Sequence, residues 1–558
     1  MNLRYLRLLF ILLACSLLVA ACGGKKVDLH IPDDVHFVVS VNTKALQTKS
    51  KDISKVFDKE FLKNMAIPQK DLKEIEEAFN SLLKSGLDFN QKVYVYGKLA
   101  ENSDDLFVGV SFGLKDGKSF ETALKKATKK GNEMSIKKDN DITFAFPKDD
   151  KKVKEKILIA WKGSAALMLV MGKKGSTEQK AKEIFKIKAD ESALVKLKEL
   201  KEMESKSYDV GFWLDYKQLN KITQKDNEQM LEMYNLPNIK KFAEVTTQLT
   251  GGMNFENGQV ILNSDTYLDP SKSKLYESML KAGINQTIVK NIPIQAPQIM
   301  FGFAFALKPF YDLIKDAKPL KETEESTIKT VGLKNDELVE MLTGDMMLAV
   351  KNLKIGEAIG GSPDPEAVVV LGVAKKDLFE KMMKNGEAFK DFKKEGNYYV
   401  FSPAPSISVF VILKDDGVYV VGSKDMREAI LKGKGKLDGE HLALAKNNSS
   451  LLYLDFKFFE QLKMILGANP ILDITLAELK TLTLETSIVK NHKIVLKSVL
   501  KLNNTKENSL FVLIDMAKKI ALEESKKQKE ADSIKEEPEE GMEKPLEEEK
   551  IEEPKESL

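Results

Sequence analysis

Residues 108–114 read Val-Gly-Val-Ser-Phe-Gly-Leu and lead into a predicted helix around Phe120. Residues 367–373 read Ala-Val-Val-Val-Leu-Gly-Val and lead into a second predicted helix around Phe379. In both places the last glycine precedes the phenylalanine by seven residues. A strand and a helix that recur with the same internal spacing indicate that the chain contains two related segments.

Five further blocks recur on either side of this unit, and they do so in the same order. The matched blocks are residues 35–44 with 299–308, residues 93–99 with 347–353, three short strands at 142–146, 157–161 and 166–171 with 398–401, 409–413 and 418–421, residues 212–217 with 452–457, and residues 257–262 with 491–496. Short apolar strands resemble one another easily by chance, but six collinear matches do not arise so easily. The sequence therefore predicts an internal duplication, with a first half at 27–290 and a second half at 291–520.

The order of elements also predicts the fold class. In each half the strands outnumber the helices between them, and turn residues such as Asn257-Gly258 mark hairpins. Hairpins join antiparallel strands, whereas a doubly wound parallel sheet needs a helix after nearly every strand. We expect an α+β protein with antiparallel-rich sheets and helices packed on one face.

The first 22 residues have the features of an export signal. Arg4 and Arg7 precede an apolar run at 8–19, and Ala20-Ala21-Cys22 follows it. A positive start, a short apolar region and small residues before a cut are typical of a secretory signal peptide. A cysteine directly after the cut resembles the bacterial lipobox, so we expect residues 1–21 to be removed and Cys22 to carry palmitate-type acyl chains. The alternative, a membrane-spanning helix, needs about 20 apolar residues and the run is shorter.

Lipidation of Cys22 predicts a partner, namely a membrane, and an address in the bacterial cell envelope. Several acyl chains anchor a protein stably, whereas one chain does so only marginally. Residues 22–26 form the lipidated end and a spacer, in which Gly23 replaces the aspartate that retains many lipoproteins at the inner membrane. We expect an outer-membrane protein that faces the periplasm. The cell surface stays open as an alternative, although Lys25-Lys26 stands where some surface lipoproteins carry an acidic run.

The charge is distributed unevenly along the chain. The formal net charge is +3, but residues 521–558 contain fifteen acidic residues and seven lysines, so this tail carries −8 and the rest carries +11. The tail has few apolar residues with which to offset the entropy of ordering, and we expect it to be disordered. The positive charge of the rest lacks clustered arginines interleaved with aromatic residues, which argues against a nucleic-acid partner.

Motifs for enzyme chemistry are missing from the sequence. The two cysteines are Cys15, which leaves with the signal, and Cys22, so no disulfide or cysteine metal site is expected in the mature chain. The four histidines have no partner at a metal-binding spacing, and they are His30, His36, His441 and His492. No nucleophile elbow, phosphate loop or dinucleotide signature occurs. We predict no catalytic residue, no metal site and no cofactor, while a pair of carboxylates for glycoside cleavage stays open.

Two sets of residues have both a functional and a structural interpretation. Asp215 and Asp455 occupy equivalent positions where a strand gives way to a helix, as does Asn42. An aspartate or asparagine at that position usually caps the helix, so we interpret them as caps and not as a site. Aromatic side chains could line a groove for a glycan or a peptide, but aromatic residues in strands more often pack in a core. These residues are Tyr94, Tyr96, Trp161 and Trp213.

The beginning of the mature chain resembles a known family. Residues 31–42 read Ile-Pro-Asp-Asp-Val-His-Phe-Val-Val-Ser-Val-Asn, and residues 46–50 read Leu-Gln-Thr-Lys-Ser. Together with the lipobox, they resemble the uncharacterised Bacteroidota lipoproteins catalogued as domain of unknown function 4836. Asp34-Val35 departs from the Asp-Ala that is usual there. The resemblance extends from residue 27 to the 510s, supports the envelope address and implies no catalytic residues.

Three hypotheses for function follow. The first is a membrane-tethered, non-enzymatic lipoprotein that binds or scaffolds an envelope protein or polymer. The second is a lipoprotein that holds a small molecule or a lipid in a cleft between the halves. The third is a hydrolase with an unrecognised set of residues. A shallow apolar patch would favour the first, an apolar pocket without converging polar groups the second, and paired carboxylates with shifted pKa values the third.

The lipoprotein prediction is tested by the variant Cys22→Ala. We expect this variant to keep its signal and to lose acylation, because the reaction needs the thiol at that position. Labelling with radioactive palmitate, together with detergent phase partition, measures both effects. A Cys15→Ala variant is the matched control and should be processed normally. Equal processing and equal membrane binding of Cys22→Ala would show that the assignment is wrong.

Overall fold

The structure is a computed structural model, and it describes part of the chain. The described residues are 29–50, 86–99, 106–127, 134–147, 156–172, 175–222, 233, 244–281, 283–351, 366–404, 407–446, 448–463 and 469–535. The predicted signal peptide, Cys22 and the spacer lie outside these residues. Within them, no helix has both the length and the apolar character needed to cross a membrane.

Twenty strands lie in the described part of the chain. They are β1 (Phe37–Val41), β2 (Val93–Lys98), β3 (Phe107–Gly113), β4 (Met134–Asp139), β5 (Ile142–Pro147), β6 (Lys156–Lys162), β7 (Ala165–Met171), β8 (Val210–Asp215), β9 (Thr246–Glu256), β10 (Gln259–Leu268), β11 (Ile299–Ala304), β12 (Leu342–Lys351), β13 (Glu366–Val373), β14 (Lys393–Glu395), β15 (Tyr398–Ala404), β16 (Ile407–Leu413), β17 (Val418–Val421), β18 (Asn448–Asp455), β19 (Leu479–Ser487) and β20 (Lys493–Leu502).

All twenty strands join one sheet, and every pairing in it is antiparallel. The order across the sheet is β4-β5-β6-β7-β3-β2-β1-β8-β9-β10-β20-β19-β18-β11-β12-β13-β17-β16-β15-β14. Hairpins and short connections between strands favour this arrangement over a parallel sheet. The predicted α+β class with an antiparallel sheet is confirmed.

Sixteen α-helices accompany the sheet in the described residues. They are α1 (Thr43–Ser50), α2 (Gly117–Ala127), α3 (Thr177–Lys186), α4 (Ala193–Lys196), α5 (Lys198–Ser205), α6 (Tyr216–Ile222), α7 (Ser273–Met279), α8 (Gln286–Lys290), α9 (Leu307–Ile314), α10 (Lys318–Val331), α11 (Asn335–Met341), α12 (Lys376–Asn385), α13 (Lys424–Leu431), α14 (Gly439–Ala445), α15 (Pro470–Glu478) and α16 (Ser509–Lys535). Short 3₁₀ helices lie at Ala189–Glu191, Glu387–Phe389 and Phe456–Leu462.

Helices cover both faces of the sheet, whereas the sequence predicted them on one face. In β2, Tyr94 and Tyr96 belong to a core that includes Ile184 of α3. Val93 points to the opposite side, into a core that includes Phe120 of α2. Both faces of β2 are apolar, and each must be covered if it is to leave water. The second half has the same arrangement, with separate cores under α13 and α12.

The two halves have the same pairing pattern. β1 lies between β2 and β8, and β11 lies between β12 and β18. β3 joins β2 to β7, as β13 joins β12 to β17. The last hairpin, β9–β10 or β19–β20, follows β8 or β18 in each half. The order of strands agrees with the six matched blocks, and the duplication itself stays a prediction.

The strand register differs from the sequence match in two blocks. Gly97 of β2 lies opposite Val108, and Val350 of β12 lies opposite Ala367, the residue matched to Val108. Gly97 therefore corresponds to Val350, which is one residue away from the sequence match. β1 and β11 differ from their match by two residues in the same way. Both faces of these strands carry apolar residues, so the apolar pattern did not determine the register.

The halves meet where β10 pairs with β20, and we call this pairing the seam. Asn263 lies opposite Lys497. These two residues are also equivalent in the match of 257–262 with 491–496, because both follow the matched blocks directly. When two equivalent residues lie directly opposite each other, the two strands that carry them are related by a two-fold axis. The seam therefore relates the halves by a pseudo-two-fold axis between Asn263 and Lys497.

The C-terminal segment differs from the expectation over part of its length. α16 continues to Lys535, so residues 521–535 are helical although they were predicted to belong to a disordered tail. Alanine, glutamate and lysine are strong helix formers, and Val512, near the start of this helix, is buried. Residues 536–558 lie outside the described residues, and the prediction for them stays as it was.

The predicted boundary between the halves lies next to residues that pack with the second half. Ile288 and Val289 of α8 precede position 291, and both belong to the core that contains Met347 and Tyr419. The apolar side chains of Ile284, Ile288 and Val289 pack against strands of the second half and are buried by this contact. The domain limits at 290 and 291 stay a prediction about chain organisation.

Two glycines with positive φ provide a test of the fold. Gly344 has φ of +83°, and a β-carbon there would collide with the carbonyl oxygen of Phe305. Gly396 has φ of +59° and no heavy atom within 4 Å of that position. We expect Gly396→Ala to cost about 1 kcal/mol through its backbone alone and Gly344→Ala more than about 3 kcal/mol. Urea unfolding measures both, and equal losses would contradict the packing described for Gly344.

Candidate functional site

The predicted helix caps are confirmed by hydrogen bonds. The Asp215 carboxylate accepts from the backbone N–H of Gln218 at 3.1 Å, and the Asp455 carboxylate accepts from the N–H of Lys457 at 3.0 Å. The Asn42 side chain accepts from the N–H of Ala45 at 3.1 Å. These bonds satisfy N–H groups that the first turn of a helix leaves unpaired. Both repeated Asp residues therefore cap the helices that follow them.

The predicted core role of the strand aromatics is also confirmed. Tyr96 and Trp213 are almost fully buried, and Trp161 packs edge-on against Phe120 with ring centroids 5.4 Å apart. The Tyr96 hydroxyl is 3.0 Å from the hydroxyl of Ser111. Aromatic rings in such contacts contribute apolar burial and are not available to line an open groove.

The four histidines contact different groups in the fold. The His36 ring accepts from the N–H of Leu99, and burial lowers the pKa of His36. His441 bonds through Nδ1 to Asp438 at 2.8 Å and packs edge-on against Tyr453. His492 forms a hydrogen bond with the hydroxyl of Ser273, and His30 lines a cavity. No group of three metal-binding side chains occurs among the residues that the structure describes.

A charged network spans the seam on one face of the sheet. Lys493 of β20 lies 3.2 Å from Asp265 of β10 and 3.4 Å from Glu202 of α5. Lys206 lies 2.5 Å from the same Asp265 oxygen, and the Tyr267 hydroxyl donates to Glu202 at 3.0 Å. Asp265 is buried, and its charge is compensated by two ammonium groups. The network joins α5 of the first half to a strand of the second.

The titration of this network is consistent with a structural role. Burial by itself would raise the pKa of Glu202. The Tyr267 hydroxyl and the ammonium groups of Lys493 and Lys206 lower this pKa by more than burial raises it, so the net shift is downward. A carboxylate whose pKa is lowered stays ionised near neutral pH and keeps its ion pairs with the two ammonium groups. The network therefore links α5 of the first half to β20 of the second half.

The opposite face of the same strands is apolar. In β20, Lys493, Lys497 and Lys501 alternate with apolar neighbours and share the face of the charged network. The apolar neighbours point to the other side of the sheet. There, the strand registers place apolar residues of β8, β9, β10, β18, β19 and β20 side by side in one continuous surface. We call this surface the central apolar face. Its large members are Phe212, Leu214, Leu249, Met253, Leu262, Leu452, Leu454, Leu482, Leu484, Ile494, Leu496 and Leu500.

The central apolar face is only partly covered. Each of its large members is half-buried, neither shielded from solvent as in a core nor fully exposed. At its margin Phe301 of β11 is 37% exposed, and its ring lies 5.8 Å from that of Phe303. Protein interiors pack densely, so a row of half-buried leucines across six strands is an incompletely covered apolar surface and not a finished core. We call this incompletely covered area the recess. The recess belongs to both halves because the seam runs through its middle.

Helices lie over one side of this recess. α16 begins beside the β9–β10 turn, where Asn508 donates to the carbonyl of Phe255 at 3.0 Å. Leu510 of α16 packs in the core that contains Phe255 and Val110. Further along, Lys519 lies 3.2 Å from Glu478 of α15. α16 and α15 therefore pack against each other next to the central apolar face and leave its leucines accessible in part.

Sequence reasoning did not identify the central apolar face. Its signal is the alternation of lysine with apolar residues in 493–501, which predicts a strand with one polar and one apolar face. Alternation in one strand does not tell which strands align with it or what covers them. That information comes from the register of six strands, which tertiary pairing determines.

The fold places this chain among α+β proteins built on one antiparallel sheet. Residues 28–510 match the family model described as "Domain of unknown function (DUF4836)". The chain belongs to this family. The match agrees with the family resemblance that the opening motif indicated, whereas the lipoprotein character stays a prediction.

Similarity to solved structures is low. Crystal forms I and III of TP0453 share 9% and 11% sequence identity with this chain, with TM-scores of 0.25 and 0.26. Each covers 44% of this chain, and 80% and 81% of its own chain respectively. These scores carry no argument about the fold or the activity. No curated protein matches the sequence.

The seam network predicts an acid-linked loss of stability. Because the pKa of Glu202 in the folded protein is lowered from about 4.5, its contribution is present above that pH and is lost as the pH falls through the folded-state value. Glu202→Gln should lower stability near neutral pH by about 1 kcal/mol or less, since the side chain is 37% exposed.

Thermal unfolding at about pH 7 and about pH 3 measures this difference. The variant and the wild type should converge at the acidic end. Glu199→Gln removes a charge from the same helix and serves as the control. A constant difference between Glu202→Gln and the wild type over the whole range would show that the network is not the cause.

Proposed function

We propose that this chain is a membrane-tethered, non-enzymatic lipoprotein of the bacterial envelope whose body binds an apolar ligand, such as a lipid acyl chain, on the central apolar face. The tether is the lipid on Cys22, and the expected address is the outer membrane with the body in the periplasm. The proposal selects the second of the three hypotheses, in which the ligand lies between the two halves.

The observation that carries the proposal is the half-buried apolar recess across the seam. Covering apolar surface contributes about 25 cal/mol per Å², so each 100 Å² that a ligand removes from water is worth roughly 2.5 kcal/mol. Leu262 and Leu496 are equivalent residues on neighbouring strands, so both halves supply the same chemistry. A ligand that covers this surface would therefore gain binding free energy by burying apolar side chains of both halves.

The polarity of the recess favours a flexible apolar chain as the ligand. The positions that face it within 249–255 of β9, 262–266 of β10, 482–486 of β19 and 494–500 of β20 include no charged residue, and their polar members are Ser264, Thr266, Thr486 and Ser498. The Ser264 hydroxyl donates to the carbonyl of Thr250 at 3.2 Å. A site with few polar groups discriminates little between head groups and binds mainly through contact area.

A protein or polymer partner is the second candidate, and one observation favours it. Phe301 and Phe303 expose aromatic surface at the margin of the recess. Aromatic residues are enriched in protein interfaces. The side chains in the main part of the face are half-buried, however, and such side chains present less surface to a rigid partner than to a flexible chain.

The proposal is tested by placing a charge in the recess. Leu496→Lys puts an ammonium group on the central apolar face, whereas Val495→Lys puts the same group on the lysine-bearing face of the same strand. We expect Leu496→Lys to lose at least about tenfold in affinity for an apolar fluorescent probe, because a charge cannot be desolvated there without cost. Val495→Lys should bind as the wild type does.

The same proteins are then purified from membranes and extracted for lipid mass spectrometry. Co-purifying acyl lipid in the wild type and in Val495→Lys, and its loss in Leu496→Lys at an unchanged Tm, would support the proposal. Equal lipid content and equal probe affinity in all three proteins would refute it. Protein cross-links that depend on Phe301 would instead support the second candidate.

A further inference from the structure

A cavity of about 400 Å³ lies in the first half, on the face of the sheet opposite the central apolar face. Its floor is formed by β3 and β7, and its cover by the end of α3 and by residues 29 and 30. The side chains that matter for the argument are Ser111, Lys162, Ser164, Leu167, Ile184 and Phe185. Ser111, Leu167 and Ile184 are buried at the inner end, whereas residues 163 and 164 of the β6–β7 turn are exposed at the other.

The second half carries larger side chains at two equivalent positions. By strand register, Leu167 corresponds to Tyr419 and Ser111 to Val370, and both replacements are larger in the second half. The Tyr419 hydroxyl donates to Asp416 at 2.8 Å, and the Asn291 side-chain amide donates to the same carboxylate at 2.9 Å. In the first half, smaller side chains at these two positions line the cavity.

The lining of the cavity combines an apolar body with cationic and hydroxyl groups. Leu167, Ile184 and Phe185 supply apolar surface, and the lining contains no carboxylate among the residues that the structure describes. Lys162 pairs with Asp141 at 2.9 Å, but both side chains are well exposed, at 41% and 63%, so the pair is weak and its ammonium can accept another anion. Ser164 adds a hydroxyl at the exposed end.

We propose that this cavity binds a small amphipathic carboxylate. The alkyl part lies against Leu167, Ile184 and Phe185, and the carboxylate lies at the turn, next to Lys162 and Ser164. The volume lies within the range of about 300–1,000 Å³ that small-molecule sites occupy. The site is separate from the central apolar face because the two lie on opposite faces of the sheet.

The experiment compares decanoate with decanol by isothermal titration on the full chain. Lys162→Gln should weaken decanoate binding about tenfold and leave decanol binding unchanged, since the charge-assisted hydrogen bond serves the carboxylate alone. Lys137→Gln is the matched control, because it removes an exposed, paired lysine of the same half and should have no effect. An equal loss for both ligands in Lys162→Gln would contradict the proposed orientation.

The second part of the experiment fills the cavity with larger side chains. Leu167→Tyr copies the residue of the second half and should abolish the binding of both ligands. Should Leu167→Tyr lower the Tm, Ala165→Leu blocks the space nearer its exposed end and should give the same result. Undiminished binding in a folded filling variant, or no decanoate binding to the wild type at about 1 mM, would overturn the proposal. Leu496→Lys leaves this site intact, so its effect separates failure here from failure of the proposed function.

Discussion

The antiparallel pairing of β10 with β20 is the constraint on which the rest of the structure depends. Backbone N–H and C=O groups must be paired when they leave water, and at the seam the last strand of one half pairs with the last strand of the other. Without this ladder each half would end in an open edge. With it, twenty strands share one sheet, and side chains that alternate along each strand are sorted to two faces that run through both halves.

The two faces then acquire different roles at the seam. On one face, Asp265 and Glu202 form ion pairs with Lys493, so charged side chains link the two halves. On the other face, leucines from both halves lie side by side, half-buried beside α16. The same strand pairing thus places the charged network on one face and the central apolar face on the other, because neighbouring residues of a strand point to opposite faces. The cavity at Ser111 has a different cause, because it depends on side-chain size within one half.

Local patterns predicted much of this correctly. The α+β class, the order of strands in both halves, the caps at Asp215 and Asp455 and the burial of Trp213 all followed from short-range rules that the structure confirms. The register of β2 against β12 was wrong by one residue because both faces of these strands are apolar. Helices on both faces, and the extension of α16 to Lys535, were missed because composition does not tell what a helix packs against.

The sequence by itself determined the repeated order of elements, the antiparallel class, the helix caps and the lack of recognisable catalytic motifs, since these depend on residues close together in the chain. It also identified the family through the motif at 31–50, which the family match at 28–510 confirms. Only the tertiary structure decided that the halves share one sheet, that Leu262 and Leu496 lie on one apolar face, and that a cavity lies beside Leu167, whose equivalent in the second half is the larger Tyr419. The physical reason is that long-range strand pairing and side-chain packing depend on which surfaces meet, and a local pattern does not contain that information.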